Sequence, residues 1–166
     1  MEVRALRPED AAAFQALRLQ GLLECPSAFA SSHGEEAGTP LASVAERLAV
    51  QDDRAIFGAF DAGVPVGIVG VQRESLRKLA HKAHVWGVYV APSARGAGTG
   101  RALLAAALGF AASGLGVRQV TLGVNDRNAA AIALYRSLGF ETFGVERGYL
   151  CIDGVLHDEL HMVRIL

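Results

Sequence analysis

The order of its segments predicts that this 166-residue chain adopts an α/β fold (an α+β arrangement on a mixed sheet) with about seven strands and four helices. Three observations carry that expectation. Apolar residues change repeatedly along the chain between helix-type spacing and strand-type runs. Two pairs of strand-like runs are joined by hairpin turn signals, Asp61-Ala62-Gly63 and Asp153-Gly154. Helical stretches are interleaved with strand-like runs between residues 98 and 138. No internal repeat and no low-complexity linker divides the chain, so residues 1–166 are expected to form one domain.

Val3 to Leu6 reads as a strand. Pro8 with Glu9 and Asp10 then opens a helix, because proline suits the first turn and acids suit the positive end of the helix dipole. Ala11, Phe14, Leu17 and Leu22 give that helix its apolar side, and Cys25-Pro26 ends it. Ser27 to Thr39 is rich in Ser, Gly and Glu and is expected to be a loop. Thr39-Pro40 opens a second helix with Leu41, Val44, Ala45 and Leu48 on one face. Ala55 to Phe60 and Val64 to Gln72 form a hairpin, and His84 to Val90 is a further strand stopped by Pro92. Gly98 to Ser113 is helical, Gln119 to Val124 a short strand, and Asn128 to Leu138 helical again. Glu141 to Ile152 and Val155 to Ile165 close the chain as strands, with Asp153-Gly154 suited to a type I′ turn.

The net charge of −1 predicts no bulk attraction to a polyanion, so nucleic acid is not an expected partner. The basic residues are nearly all arginine, since only Lys78 and Lys82 are lysines. Cys25 and Cys151 form no metal-type or redox-type spacing and read as two incidental thiols of a reducing compartment. Charges at Glu2, Arg4, Arg7, Glu9 and Asp10 leave no room for a secretory h-region, so the expected location is the cytoplasm. The uncharged run Ala102 to Val117 is short for a membrane helix, which needs about 18 to 20 residues, and reads instead as a buried core helix.

Glycine is the outlier. The chain has 19, where average usage would give about 12, and much of the excess lies between Gly87 and Gly116. Within that stretch, Val88-Tyr89-Val90-Ala91-Pro92-Ser93-Ala94-Arg95-Gly96-Ala97-Gly98-Thr99-Gly100-Arg101 runs from a strand through a glycine-rich turn into a helix. Alternating glycines let backbone amides approach a ligand, and a helix N-terminus adds unpaired N–H groups and about half a positive charge. This predicts a pyrophosphate cradle with Arg95 and Arg101 at its rim. The dinucleotide fingerprint fails, because Gly96-Ala97-Gly98 would require glycine at position 101, which is Arg101. The P-loop fails too, because neither lysine follows a glycine.

What fits is Arg-x-x-Gly-x-Gly at Arg95, Gly98 and Gly100, followed downstream by Asn125-Asp126-Arg127-Asn128-Ala129-Ala130-Ala131-Ile132-Ala133-Leu134-Tyr135-Arg136-Ser137-Leu138-Gly139-Phe140. The first block resembles the acetyl-CoA loop of the GCN5-related N-acetyltransferase (GNAT) superfamily. The second resembles that family's Asn-x-x-Asn-x-x-Ala-x-x-Leu-Tyr-x-x-x-Gly-Phe motif at every position. The resemblance implies an acyl-CoA N-acyltransferase fold and acetyl-CoA as cosubstrate. It implies a binding loop of Arg95, Gly96, Ala97, Gly98, Thr99, Gly100 and Arg101, helped by Asn125 and Asn128. The backbone near Val88 and Val90 would pair with the pantetheine arm.

On a helix Asn128, Ala131 and Tyr135 share a stripe, a small residue between two polar ones, which suits a ligand better than a core. A phenol, with an ordinary pKa of about 10, can protonate a departing thiolate of pKa about 8.5 and remain protonated at neutral pH. The resemblance therefore makes Tyr135 the general acid. A lysine-like amine must also lose a proton, at a cost of about 4.6 kcal/mol at pH 7. Counting by twos back from Val90 puts Val88, Trp86 and His84 on one strand face. Members of the family often carry a Glu or His base on this strand, so the resemblance makes His84 the expected base, with a surface or core histidine as the alternative. A strand bulge, common in the family, would shift that parity.

His157-Asp158-Glu159-Leu160-His161 has a metal-like spacing, but on a strand its two histidines would not ligate together, and no metal is expected. Glu35 and Glu36 border the acceptor side in this family and could draw a cationic amine. The expected activity is direct acetyl transfer from acetyl-CoA to a primary amine of a small molecule or peptide. Acetylation of a protein N-terminus or lysine, and a non-catalytic acyl-CoA sensor, are the alternatives. No membrane partner is expected. Members of the family commonly dimerise, and the sequence leaves this chain's oligomeric state open.

Overall fold

The computed structural model describes residues 1–49 and 51–166. Its strands are β1 (Glu2–Ala5), β2 (Arg54–Asp61), β3 (Val64–Arg73), β4 (Lys82–Val90), β5 (Gln119–Asn125), β6 (Glu141–Ile152) and β7 (Val155–Ile165). Its helices are α1 (Ala11–Glu24), α2 (His33–Glu36), α3 (Leu41–Leu48), α4 (Thr99–Gly109) and α5 (Ala129–Ser137). The strands form one mixed sheet in the order β1-β2-β3-β4-β5-β7-β6. Among the described residues only β4 and β5 pair in parallel.

The expected α/β architecture and seven strands are present, and among the described residues the α-helices number five rather than four. The addition, α2, lies inside the segment expected to be a loop. Ser32 Oγ accepts from Glu35 N at 3.3 Å and the Glu35 carboxylate accepts from Ser32 N at 2.7 Å. This reciprocal capping box satisfies two otherwise orphaned donors and holds one helical turn in place. A 3₁₀ turn at Pro26–Ala28 occupies the start of the same segment. The hairpin turn at Asp153-Gly154 has positive φ at both residues, as a type I′ turn requires.

Helices cover both faces of the sheet. On one, α4 and α5 bury Leu103, Leu104, Ala107, Ile132 and Tyr135 against Val71, Val85, Val120, Leu122 and Met162. On the other, α1 and α3 bury Phe14, Leu17, Val44 and Leu48 against Ile56, Phe60 and Ile68. The apolar run read as a core helix is α4, continued by a single π turn at Phe110–Gly114.

One local irregularity reverses an expectation. β3 and β4 pair as Gly70↔Trp86 and Ile68↔Tyr89, so Gly87 and Val88 together oppose one residue of β3. Gly87 has φ +64, a left-handed conformation open to glycine at no steric cost. The bulge shifts parity along β4. Val88 and Val90 pack toward α4, while Trp86 and Tyr89 pack toward α1. His84 therefore does not share a face with Val88 and Val90.

Leu104 is fully enclosed between α4 and the sheet, whereas Leu156 is exposed on β7. Leu104→Ala is expected to lower unfolding free energy by about 2–5 kcal/mol, and Leu156→Ala by less than about 0.5 kcal/mol. Urea denaturation read at constant slope measures both.

Candidate active site

β4 and β5 pair only at Lys82↔Gln119, Ala83↔Val120 and His84↔Thr121, and then separate. Beyond that point each strand turns an unpaired backbone edge toward a cleft. Two cavities meet in this opening. The larger, of 520 Å³, is bounded by the far ends of both strands, the turn before α4 and one side of α5. The smaller, of 260 Å³, lies toward α1 and β6. Gly87 of β4 and Gly123 of β5 line both.

Ten of the eleven residues expected to bind the cofactor line the larger cavity: Val88, Val90, Arg95, Gly96, Gly98, Thr99, Gly100, Arg101, Asn125 and Asn128. Ala97 does not. Gly98 is the N-cap of α4 with φ +81, and a Cβ placed there would meet nothing within 4 Å. The space in front of the helix N-terminus is therefore open, and the first-turn amides are available to an anion. Gly100 has a second reason to be glycine, since its Cβ would stand 3.0 Å from Leu134 of α5.

The side chains differ from the expected rim in detail. Arg95 is tied down, its Nε donating to the Val90 carbonyl at 2.9 Å and its Nη2 to the Glu24 carboxylate. Glu24 also accepts from the Tyr89 hydroxyl at 2.7 Å, and those two donors hold its carboxyl below the usual range. Arg101 donates to Ser137 Oγ at 2.7 Å. Thr99 is buried and its hydroxyl donates to the Ala94 carbonyl, so only its backbone faces a ligand. Any anion here is met chiefly by oriented amides.

Asn128 is the N-cap of α5, its Oδ1 accepting from Ala131 N at 3.1 Å, and only its amide nitrogen is left for a ligand. Asn125 is buried, with Oδ1 accepting from Arg127 N at 2.9 Å. These bonds fix the strand-to-helix turn. At the other end of α5, Gly139 N donates to the Arg136 carbonyl and Phe140 N to the Tyr135 carbonyl, the two bonds of a Schellman ending. The Phe140 ring meets Tyr135 edge-on at 6.0 Å between centroids. Tyr135 is thus clamped, and among the described residues its hydroxyl bonds to no protein group while its side chain lines the larger cavity. Burial pushes its phenol up to about 12.

His84 lies apart from Tyr135, lining the smaller cavity only. Its Nδ1 is 3.3 Å from Thr121 Oγ1. One side of the ring reaches solvent, yet the recess strips enough hydration to hold the imidazole below 6.5, with His161 adding to the shift and Glu74 opposing it. The same cavity gathers residues that the sequence did not single out for a role: Arg18, Trp86, Tyr149 and Glu159. The signals were weak, because Arg18 belongs to an amphipathic helix and Glu159 sat in a segment weighed only as a metal site. Among the described residues no group of three or more His, Cys, Asp and Glu is placed to hold a metal ion.

Glu35 and Glu36 do not reach toward an amine. Glu35 caps α2, and Glu36 accepts from Arg18 Nε and Nη2 at 3.1 and 2.8 Å. Arg18 also lies over the Phe29 ring, and its buried Nη1 has no partner among the described residues.

A family model described as "Acetyltransferase (GNAT) family" matches residues 21–140, well over half of the chain. The chain is 39% identical over 97 residues to the N-alpha-acetyltransferase RimI of Mycobacterium tuberculosis, covering 58% of each. It is 32% identical over 122 residues to the mycothiol acetyltransferase of Gordonia bronchialis, covering 70% of this chain and 38% of that one. The chain thus spans little more than half the length of the first relative and less of the second. Among solved structures, an acetyltransferase of the GNAT family from Streptococcus pneumoniae superposes with a TM-score of 0.88 at 24% identity over 99% of both chains. A GNAT-superfamily phosphinothricin acetyltransferase from Sinorhizobium meliloti, solved with AcCoA, gives 0.85 at 24% identity over 99% of this chain and 88% of that one. With the cleft between β4 and β5, the open turn before α4 and the family match over residues 21–140, the chain belongs to the acetyltransferase (GNAT) family.

Proposed function

We propose that this chain is an acetyl-CoA-dependent N-acetyltransferase acting on a primary amine of a small molecule or peptide. The observation that carries the reading is the clamped Tyr135, which lines a cavity ending at an open helix N-terminus and whose hydroxyl bonds to no protein group among the described residues. The amides at Gly98 to Arg101 would hold the pyrophosphate, and the unpaired edge of β4 from Gly87 to Val90 would hold the pantetheine arm. Acetyl-CoA supplies an activated acetyl thioester at the junction of the two cavities. Tyr135 donates its proton to the departing sulfur, and its raised pKa keeps the phenol protonated until that moment. The smaller cavity is the acceptor side, where His84, neutral at pH 7, carries the amine's proton away. The names of the relatives, RimI and mycothiol acetyltransferase, support acetyl transfer as the chemistry and leave the acceptor open among amines.

The test is thiol release from acetyl-CoA with amino acids, polyamines, aminoglycosides and N-terminal peptides. Release with at least one amine is expected, and binding without release from any would assign the chain to a sensing role instead.

Tyr135→Phe is expected to lower kcat about 100-fold or more while acetyl-CoA affinity stays within about twofold. Calorimetry beside steady-state kinetics separates the two effects. Because the active phenol is the protonated form, ionisation of Tyr135 removes activity only as pH rises toward about 12. The kcat profile should therefore show no fall from this group up to about pH 10, two units below that value and hence with about 1% ionised.

Gly98→Ala puts a methyl into the open space before α4 and strains a residue at φ +81 by roughly 1–2 kcal/mol. Acetyl-CoA Kd should rise about tenfold or more, and unchanged affinity would remove the anion site from this turn.

A further inference from the structure

We propose that Glu159 is a catalytic residue of the acetyl transfer proposed above: its carboxylate receives the acceptor's ammonium group where the two cavities meet and takes the proton that the nitrogen must lose. The inference rests on that acetyltransferase reading and adds a residue to it.

The argument begins at Gly123. Thr121, Gly123 and Asn125 of β5 share one sheet face, and the antiparallel pairing of β5 with β7 puts Val163, His161 and Glu159 opposite them in turn. The Glu159 carboxylate leans back along that face over Gly123, and any side chain at position 123 would run into it. Glycine on β5 thus makes room for an acid supplied by β7. Gly123 lines both cavities, so the acid stands beside the acyl-binding side as well as lining the acceptor side. His84, like Glu159, lines only the acceptor cavity, but it stands farther back, paired with Thr121 where the two strands are still joined.

Among the described residues the carboxylate also has no hydrogen-bond partner within the protein, so its oxygens face only solvent or a ligand. Its side chain is 16% exposed. His161 Nδ1 is 3.9 Å away, but His161 gives its Nε2 to Glu146 at 2.9 Å. A carboxylate left in this state favours a ligand that brings N–H donors and positive charge. The groups facing it are His161 on its own strand, Glu146 and Tyr149 from β6, His84 from β4 and Arg18 from α1, the last already paired with Glu36. Burial raises the Glu159 carboxyl above the ordinary range, Glu146 adds to the shift and His161 opposes it. A carboxylate with raised affinity for protons is a better base near neutral pH.

The proton balance is complete with these residues. Glu159 takes one proton from the ammonium and passes it by way of His84 to solvent. The lone pair released on nitrogen forms the C–N bond as the C–S bond breaks. Tyr135 protonates the sulfur, and the second proton lost by nitrogen returns through solvent to the phenol. An ammonium and an acetyl thioester give an acetamide, a free thiol and one proton.

The experiment compares Glu159→Gln, Glu159→Asp and His84→Asn with the unaltered chain, using the best amine from the thiol-release screen and acetyl-CoA binding as the check on folding. Glu159→Gln is expected to lower kcat by about 100-fold or more and to remove the acid limb of the pH–rate profile, with acetyl-CoA affinity within about twofold. Glu159→Asp should recover part of the rate, and His84→Asn should cost less than about tenfold and keep the limb. Glu159→Gln within threefold of the unaltered rate, or an acid limb abolished by His84→Asn and kept by Glu159→Gln, overturns the proposal. A chain that binds acetyl-CoA but releases thiol with no amine overturns the acetyltransferase reading, and this proposal with it, before any variant is made.

Discussion

Everything functional in this fold depends on two parallel strands that stop pairing. β4 and β5 share three register pairs and then part, leaving backbone donors and acceptors on both facing edges without strand partners. Buried peptide groups without partners are costly, so the opening is stable only where ligand or solvent reaches those edges. The bulge at Gly87 bends β4 away at the level of the opening. The sheet continues on either side of the break through antiparallel pairs, so the cleft is held open by rigid walls. Gly87 and Gly123 stand on opposite sides of the split, and the two cavities join between them.

The helices on the far face of the sheet complete the site and are coupled to each other. Gly100 allows Leu134 to approach the first turn of α4, and Arg101 reaches Ser137 across the same contact. The N-terminal end of α4 and the helix carrying Tyr135 are therefore packed directly against each other. Tyr135 is held a second time from below, where the Schellman ending of α5 places Phe140 edge-on against its ring. Asn128 at the other end satisfies the helix start. α5 is thus fixed at both ends, as the proton donor proposed above requires.

Formal charge is a poor guide to what the site binds. Arg95 is held by Glu24 and Val90, and Arg18 by Glu36 and Ser31. These two arginines are neutralised within the protein and serve as braces between α1, α2 and the sheet, whereas Arg101 meets only the uncharged Ser137 hydroxyl. In the function proposed above, attraction for an anion comes from Arg101 and from the amides at the start of α4, which contribute nothing to the net charge of −1. Glu35 and Glu36 are likewise committed to capping and pairing, which leaves Glu159, among the described residues, as the carboxylate of the smaller cavity without a hydrogen-bond partner in the protein.

The sequence by itself determined what depends on neighbours along the chain. Apolar spacing marked the main helices and all seven strands, Asp153-Gly154 marked its turn, and the Arg95 to Gly100 and Asn125 to Phe140 blocks marked residues that line the larger cavity. These features are local: a cap, a turn or a helix stripe is set by residues at most a few positions apart. The Ser32 to Glu35 capping box was equally local and equally readable. Only the tertiary structure decided which residues line the smaller cavity. The parity of β4 hung on a bulge set by its pairing with β3, and one inserted residue transfers every following side chain to the other face. The meeting of Glu159 with Gly123 hung on the register between β5 and β7, strands separated in the chain by α5 and β6. Register across such a distance is chosen by the packing of the whole sheet, and no spacing within either strand records it.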